Sequence, residues 1–246
     1  TCIRWFGAYV VFLTFFTNII LLASFLGLGV GCLAGGREKD FINWVPPLIF
    51  FATLSAVATH ALYKWSGRAS IGIDSQQVVY FGTEYRHPDI STIAIPVEAI
   101  PGFFFLLNAV LFIGFGQVLG RKFEAVPSRV LGYTSNILGS IVGILVFGFA
   151  SFVELSPFWW FAVTLGGTSY FLSGKRLRIN YCYTLITVAF VGLVGLGVGN
   201  NTEISWSPYS QISYYPALRW IESNNIGHQA MVSLETRSMA YVLPYF

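Results

Sequence analysis

The stretch LLASFLGLGVGCLAG at residues 21–35 decides the class of this protein. It carries no charged side chain, and Gly27, Gly31 and Gly35 recur at every fourth position. Extended upstream, the apolar run covers residues 6–34, longer than the roughly 20 residues a helix needs to cross a bilayer. Outward from it, five more apolar runs follow at 44–63, 100–119, 133–153, 158–172 and 181–198. Charged residues make up 10% of the chain and hydrophobic ones 55%, whereas soluble domains carry about a quarter charged residues. So few charges cannot cover the surface of a water-soluble protein of this size, so the chain reads as integral to a membrane. Open sheet edges cannot face lipid, so the runs are expected to be helices. The expected fold is an all-α membrane bundle of about six transmembrane helices over 1–199, with an outer loop or hairpin at 64–96. A small extramembrane β-meander is expected over 200–246.

The glycines predict how the helices meet. Small-xxx-small spacing appears at Gly27, Gly31 and Gly35, at Gly116 and Gly120, at Gly139 and Gly143, and at Gly195 and Gly199. In lipid the hydrophobic effect does not draw helices together, so close backbone approach and van der Waals contact must do it. These glycines are accordingly expected at tight helix contacts. GLGVG and GLVGLGVG lie inside apolar runs and read as packing glycines, not as a phosphate cradle following a strand.

Charge placement sets an expected topology. GGREKD, GRKFEAVPSR and GKRLR, after the first, third and fifth runs, together hold eight Lys or Arg. The positive-inside rule puts these loops in the cytoplasm, in the arrangement of a bacterial inner-membrane protein, and puts the tail on the outer side. The fifth run is the shortest and follows Pro157; were it re-entrant, the tail would return to the cytoplasm. The net charge of +3 gives no basis for a nucleic-acid partner. The expected partners are the lipid bilayer and other membrane-protein subunits. Thr1 stands where Met would open a chain, which fits a removed leader or a preceding segment.

Polar groups within the runs admit two readings. Asn108, Gln117, Ser135, Asn136 and Ser140 are interhelical hydrogen-bonders or members of a polar pathway. Glu98 and Glu154 lie at run edges. His60, in ATHALYK, is an interfacial hydrogen-bonder or, in the sharper reading, a ligand to a haem or chlorophyll metal. Cys2, Cys32 and Cys182 show neither CxxC spacing nor metal-like neighbours, and no metal site is expected. Trp65, Tyr80, Phe81 and Tyr85, around SIGIDSQQVVYFG, are expected interface anchors. In the tail, ISWSPYSQISYY alternates like one strand, LRWIES offers a second, and NNIG signals a turn before HQAMV. A meander this short holds no core of its own.

Several stretches in order resemble the polytopic membrane proteins that carry a spermidine synthase-like domain. They are residues 21–35, GQVLGRKF (116–123), GYTSNILGSIVGILVF (132–147), SPFWW (156–160), WSPYSQI (206–212), NNIGHQ (224–229) and YVLPY (241–245). The resemblance implies that the last three form the meander leading into a Rossmann-like domain. That domain, with a glycine-rich turn for S-adenosylmethionine or its decarboxylated form, would follow residue 246. Ser207, Tyr209, Gln229 and Tyr241 stand at motif positions. Gln229 matches a strand-ending glutamine of soluble spermidine synthases, and Ser210 stands where their SxYQ motif has glutamine. Their acidic pair has no match around MAYVLPY. No catalytic, cofactor-binding or metal-binding residue can therefore be assigned within these residues. Three functions follow: a non-catalytic membrane scaffold or anchor, a structural subunit of a larger respiratory or photosynthetic complex, or the membrane half of an aminopropyltransferase or methyltransferase.

Overall fold

The computed structural model describes residues 1–10, 13–14, 16–62, 71–72, 95–96, 99–174, 176–196, 202–217, 219–224 and 226–231. Among them are seven α-helices and a small C-terminal sheet. The helices are α1 (Cys2–Tyr9), α2 (Thr17–Leu33), α3 (Val45–Ala61), α4 (Ala99–Ala125), α5 (Arg129–Phe152), α6 (Pro157–Ser169) and α7 (Leu177–Gly195). A 3-10 turn, Phe41–Trp44, leads into α3. Four stretches are long and apolar enough to cross a membrane: Phe41–Ala61, Ala99–Ala125, Arg129–Phe152 and Leu177–Gly195. Thr17–Leu33 is a shorter apolar helix, and α6 has 13 residues. The structure is thus mostly helical and compatible with an integral membrane protein.

The first apolar run is not one continuous helix. It breaks after Tyr9, where Val10 takes an extended backbone, and α2 begins only at Thr17. The Thr14 hydroxyl donates to the Gly7 carbonyl, a side-chain bond of the kind that competes with helix continuation. Helix α4 runs past the expected end at residue 119, so Arg121 and Lys122 sit on its last turns, not in a loop. Ser128 caps α5, accepting from the Leu131 N–H at 3.4 Å, and Pro157 starts α6 at a position where its missing N–H costs nothing.

Helices α2 and α4 form the tightest pair, and they run parallel. Leu28 lies against Gly116 and Cys32 against Gly120, so both chains advance in the same direction. A Cβ added at Gly27 would lie 2.8 Å from the Phe112 Cβ, and one at Gly31 2.8 Å from the Gln117 nitrogen. Gly116 and Gly120 are as crowded in return, at 2.8 Å from the Leu28 Cα and the Cys32 carbonyl oxygen. Gly35 lies further off, 3.6 Å from the Arg121 nitrogen. Around this pair the core gathers Trp5, Phe6, Ile20, Ile49, Phe104, Leu111, Phe161 and Val191.

The tail forms an antiparallel sheet of β3 (Glu203–Trp206), β4 (Gln211–Tyr215), β5 (Trp220–Ser223) and β6 (Ile226–Ala230), in chain order. The single strand expected over ISWSPYSQISYY is split by a turn. Pro208 cannot donate to a ladder, and the Ser207 hydroxyl accepts from the Ser210 and Tyr209 N–H groups at 3.0 and 3.3 Å. Asn224 lies in the turn between β5 and β6 at φ 50°, a left-handed backbone that asparagine tolerates better than most residues. Its side chain accepts from the Gln211 N–H at 2.9 Å. Between residues 64 and 96, only β1 (Ile71–Gly72) and β2 (Ile95–Pro96) are described, and they pair in parallel. The expected hairpin over SIGIDSQQVVYFG lies outside the described residues, apart from Ile71 and Gly72. Trp65, Tyr80, Phe81, Tyr85, Glu98, Gly199 and Tyr241 lie outside the described residues.

Candidate functional site

Three places bring chemistry-bearing residues together, at the two ends of the bundle and along one helix. At the first end, α4 grips the segment that joins α2 to α3. Gln117 is fully buried, accepts from the Phe41 N–H at 2.8 Å and donates to the carbonyls of Lys39 and Ala34 at 2.8 and 3.1 Å. One turn on, Arg121 donates to the carbonyls of Gly35 and Arg37 and pairs with Asp40. The Arg121 hydrogen bond holds the Asp40 carboxyl below its ordinary value, against a lesser opposing effect of burial. Ser173 donates to Asp40 through its hydroxyl at 3.2 Å and to the Asn43 side chain through its N–H at 3.1 Å. Residues 35–40, the end of α4 and Ser173, at the edge of GKRLR, therefore share one end of the bundle. These lie in or beside the three positively charged segments of the sequence.

At the other end, the meander sits on α1, α5 and α6. Trp206 of β3 buries its ring against Trp160, centroids 5.0 Å apart and edge to face. The Arg4 guanidinium lies 4.6 Å from the Trp160 ring centroid and 5.5 Å from that of Trp206. It also donates to the Ser151 hydroxyl at 2.6 Å and to the Ser207 carbonyl. Tyr9 hydrogen-bonds to Gln211, and both are buried. Helix α1, a stretch that looked like the mere start of a longer span, is the socket of the meander. The signal available in the sequence was Arg4, a charge set immediately before the first apolar run.

The third place is α5. It has 24 residues, about 36 Å at 1.5 Å per residue, and only Gly132 and Ser151 are buried. Ser135, Asn136, Gly139, Ser140 and Gly143 are all exposed. A Cβ at Gly139 or Gly143 would meet nothing within 4 Å. The helix contacts expected of these two glycines are therefore absent among the described residues, because α5 meets the bundle at its ends and not at its middle; Gly195 is likewise open.

The remaining expected residues are dispersed. Ser207 spends its hydroxyl in the β3–β4 turn, Tyr209 is 91% exposed at the tip of that turn, and Gln229 is exposed on β6. They form no common site. His60 stacks edge to face with Tyr9 at 5.7 Å. Asn108 is fully buried and donates to the Phe104 carbonyl of its own helix at 2.9 Å. No group of three or more His, Cys, Asp or Glu side chains lies together among the described residues. Compared with protein-family models, with curated proteins and with solved structures, the chain matches none.

Proposed function

We propose that this chain is a membrane scaffold whose helix α5 receives a transmembrane helix of another membrane-protein subunit. The observation that carries it is the exposed stripe of Asn136, Gly139, Ser140 and Gly143 along the middle of a helix that meets the other described residues chiefly at its two ends. Lipid tails gain nothing from glycine or from an asparagine side chain, whereas a second helix gains close approach and a hydrogen bond. In this reading the chain crosses an inner membrane six times, by α2 to α7. The positively charged end faces the cytoplasm and the meander lies outside.

The test places a cysteine at Gly139 (Gly139→Cys), with Leu145→Cys on the opposite side of α5 as the control. Each is treated with a short bifunctional reagent in native membranes. The expected product is an adduct to a different membrane protein at 139 and none at 145. An adduct of twice the mass of the chain would replace the subunit reading with self-association. Absence of any protein adduct at 139 would leave α5 to lipid and defeat the proposal.

A second reading, a spermidine synthase-like transferase, is favoured by one observation: four antiparallel strands in chain order follow the last apolar helix. That arrangement is the one the resemblance implies ahead of a nucleotide domain. Its test is binding of S-adenosylmethionine by the protein isolated from its native membrane, and absence of binding would defeat it.

A further inference from the structure

The junction of bundle and meander holds a cation and several donors with no acid among the described residues to balance them. Arg4 uses two of its N–H groups on Ser151 and Ser207, while its Nε is buried with no partner. The indole nitrogens of Trp5, Trp160 and Trp206 are buried without a partner as well. The one ion pair among the described residues joins Arg121 to Asp40 at the other end of the bundle, so no carboxylate among them answers Arg4. Two indole faces ease the burial of a guanidinium but leave its charge whole, and an uncompensated charge beside apolar surface is costly. Among the described residues, what the place lacks is an acceptor.

We propose that Arg4 binds the phosphate of an anionic phospholipid headgroup at this junction. The planar guanidinium suits a phosphate; Arg4 is only half-buried, and its Nη1 and Nη2 each carry a second N–H beyond the bonds to Ser151 and Ser207. Indoles gather where headgroups meet the apolar layer. The neighbours on the chain complete a lipid site: Phe152, next to Ser151, is 76% exposed, and Trp159, next to Trp160, is 54% exposed. A ligand with an anionic head and apolar tails would meet Arg4 with the first and these side chains with the second. The proposal rests on the membrane reading of the chain, and not on a partner for α5.

The experiment uses the full chain purified in a mild detergent. Native mass spectrometry reads the lipid retained by the wild type, by Arg4→Gln and by Arg4→Lys. Tryptophan emission then reads titration with phosphatidylglycerol, phosphatidylcholine and inorganic phosphate. The expected result is one retained anionic lipid and a preference for phosphatidylglycerol over phosphatidylcholine. Affinity should fall about tenfold in Arg4→Gln, with Arg4→Lys between. Equal retention by all three forms would overturn the proposal, as would equal response to the two lipids. Inorganic phosphate binding as tightly as phosphatidylglycerol would mark a free-anion site and remove the lipid. Should Arg4→Gln fail to fold, the wild-type titration and Arg4→Lys decide alone. Alkaline extraction of the wild type from native membranes separates a failure here from failure of the membrane reading, since a peripheral protein would be released.

Discussion

Helices α4 and α5 follow each other in the chain, share the same apolar composition and carry the same spacing of glycines, yet one is clasped and the other is bare. Gly116 and Gly120 of α4 meet the backbone of α2 at distances that leave no room for a Cβ, while Gly139 and Gly143 of α5 meet open space. What separates them lies just beside the glycines. On α4, Gln117 and Arg121 stand one residue after each glycine and hydrogen-bond to residues 34–41, the segment that continues directly from α2. That grip fixes the register in which α2 and α4 can approach. On α5, the Ser140 hydroxyl turns back to the Asn136 carbonyl of its own helix at 2.9 Å. A small-residue stripe states that a helix can come close; polar side chains next to it state which one.

The sharpest way to break this comparison is to fill both stripes. Gly116→Leu should abolish the monodisperse folded chain in detergent, since the clash is with Leu28 backbone, which cannot rotate away. Overpacking with smaller groups already costs about 1–3 kcal/mol, so Gly116→Ala should lower the unfolding temperature markedly. Gly139→Leu should leave the unfolding temperature of the isolated chain unchanged. A comparable loss in both variants, read by size exclusion and thermal unfolding, would show that α5 packs within its own chain after all.

The next largest effect is expected at Gln117. Gln117→Leu keeps the size but leaves the Phe41 N–H and the carbonyls of Lys39 and Ala34 without a partner at a buried site. Leaving such groups unmet costs about 1–3 kcal/mol each where water cannot reach them. The drop in stability should exceed that of Asn108→Leu, because the Asn108 side chain satisfies only a carbonyl of its own helix. Equal drops would show that the connection between α2 and α3 is not held by α4.

How much of this was legible in the sequence differs by level. The helical class, the small terminal sheet and the positions of most apolar segments follow from composition and from the length of the runs. The grouping of the three positively charged segments at one end follows from counting alternating crossings, and Ser173, Asp40 and Arg121 show it in contacts. The break after Tyr9 was not legible, because VVFLTFFT contains neither Pro nor Gly to announce it. The bareness of α5 was hidden for a different reason. Lipid and protein neighbours favour the same apolar residues, so a lipid-facing or partner-facing helix spells itself like a core helix. The turn at Ser207 was written in the sequence as Ser-Pro, and the alternation of aromatics around it obscured it.

The smallest expected effect refines the comparison at the gripping end, where it separates charge from neutral hydrogen bonding. Asp40 lies below its ordinary carboxyl value of 3.8 because of the Arg121 hydrogen bond. A lowered value means that, between the two, the unfolded chain binds more protons than the folded one, so stability rises with pH there. The contribution is fully present above about pH 4, the range of an unperturbed carboxylate. It is lost as pH falls through the lower folded value. Wild type should therefore exceed Asp40→Asn in unfolding temperature at pH 7, and the gap should close below pH 3.8. Asp40 and Arg121 are both partly exposed, so added salt should shrink the gap at pH 7 as well. A gap that persists unchanged into acid would assign the grip to Gln117 and the neutral bonds of Ser173. A gap that closes would mean α4 holds the connecting segment by two separable means, a buried amide that ignores pH and a surface ion pair that follows it.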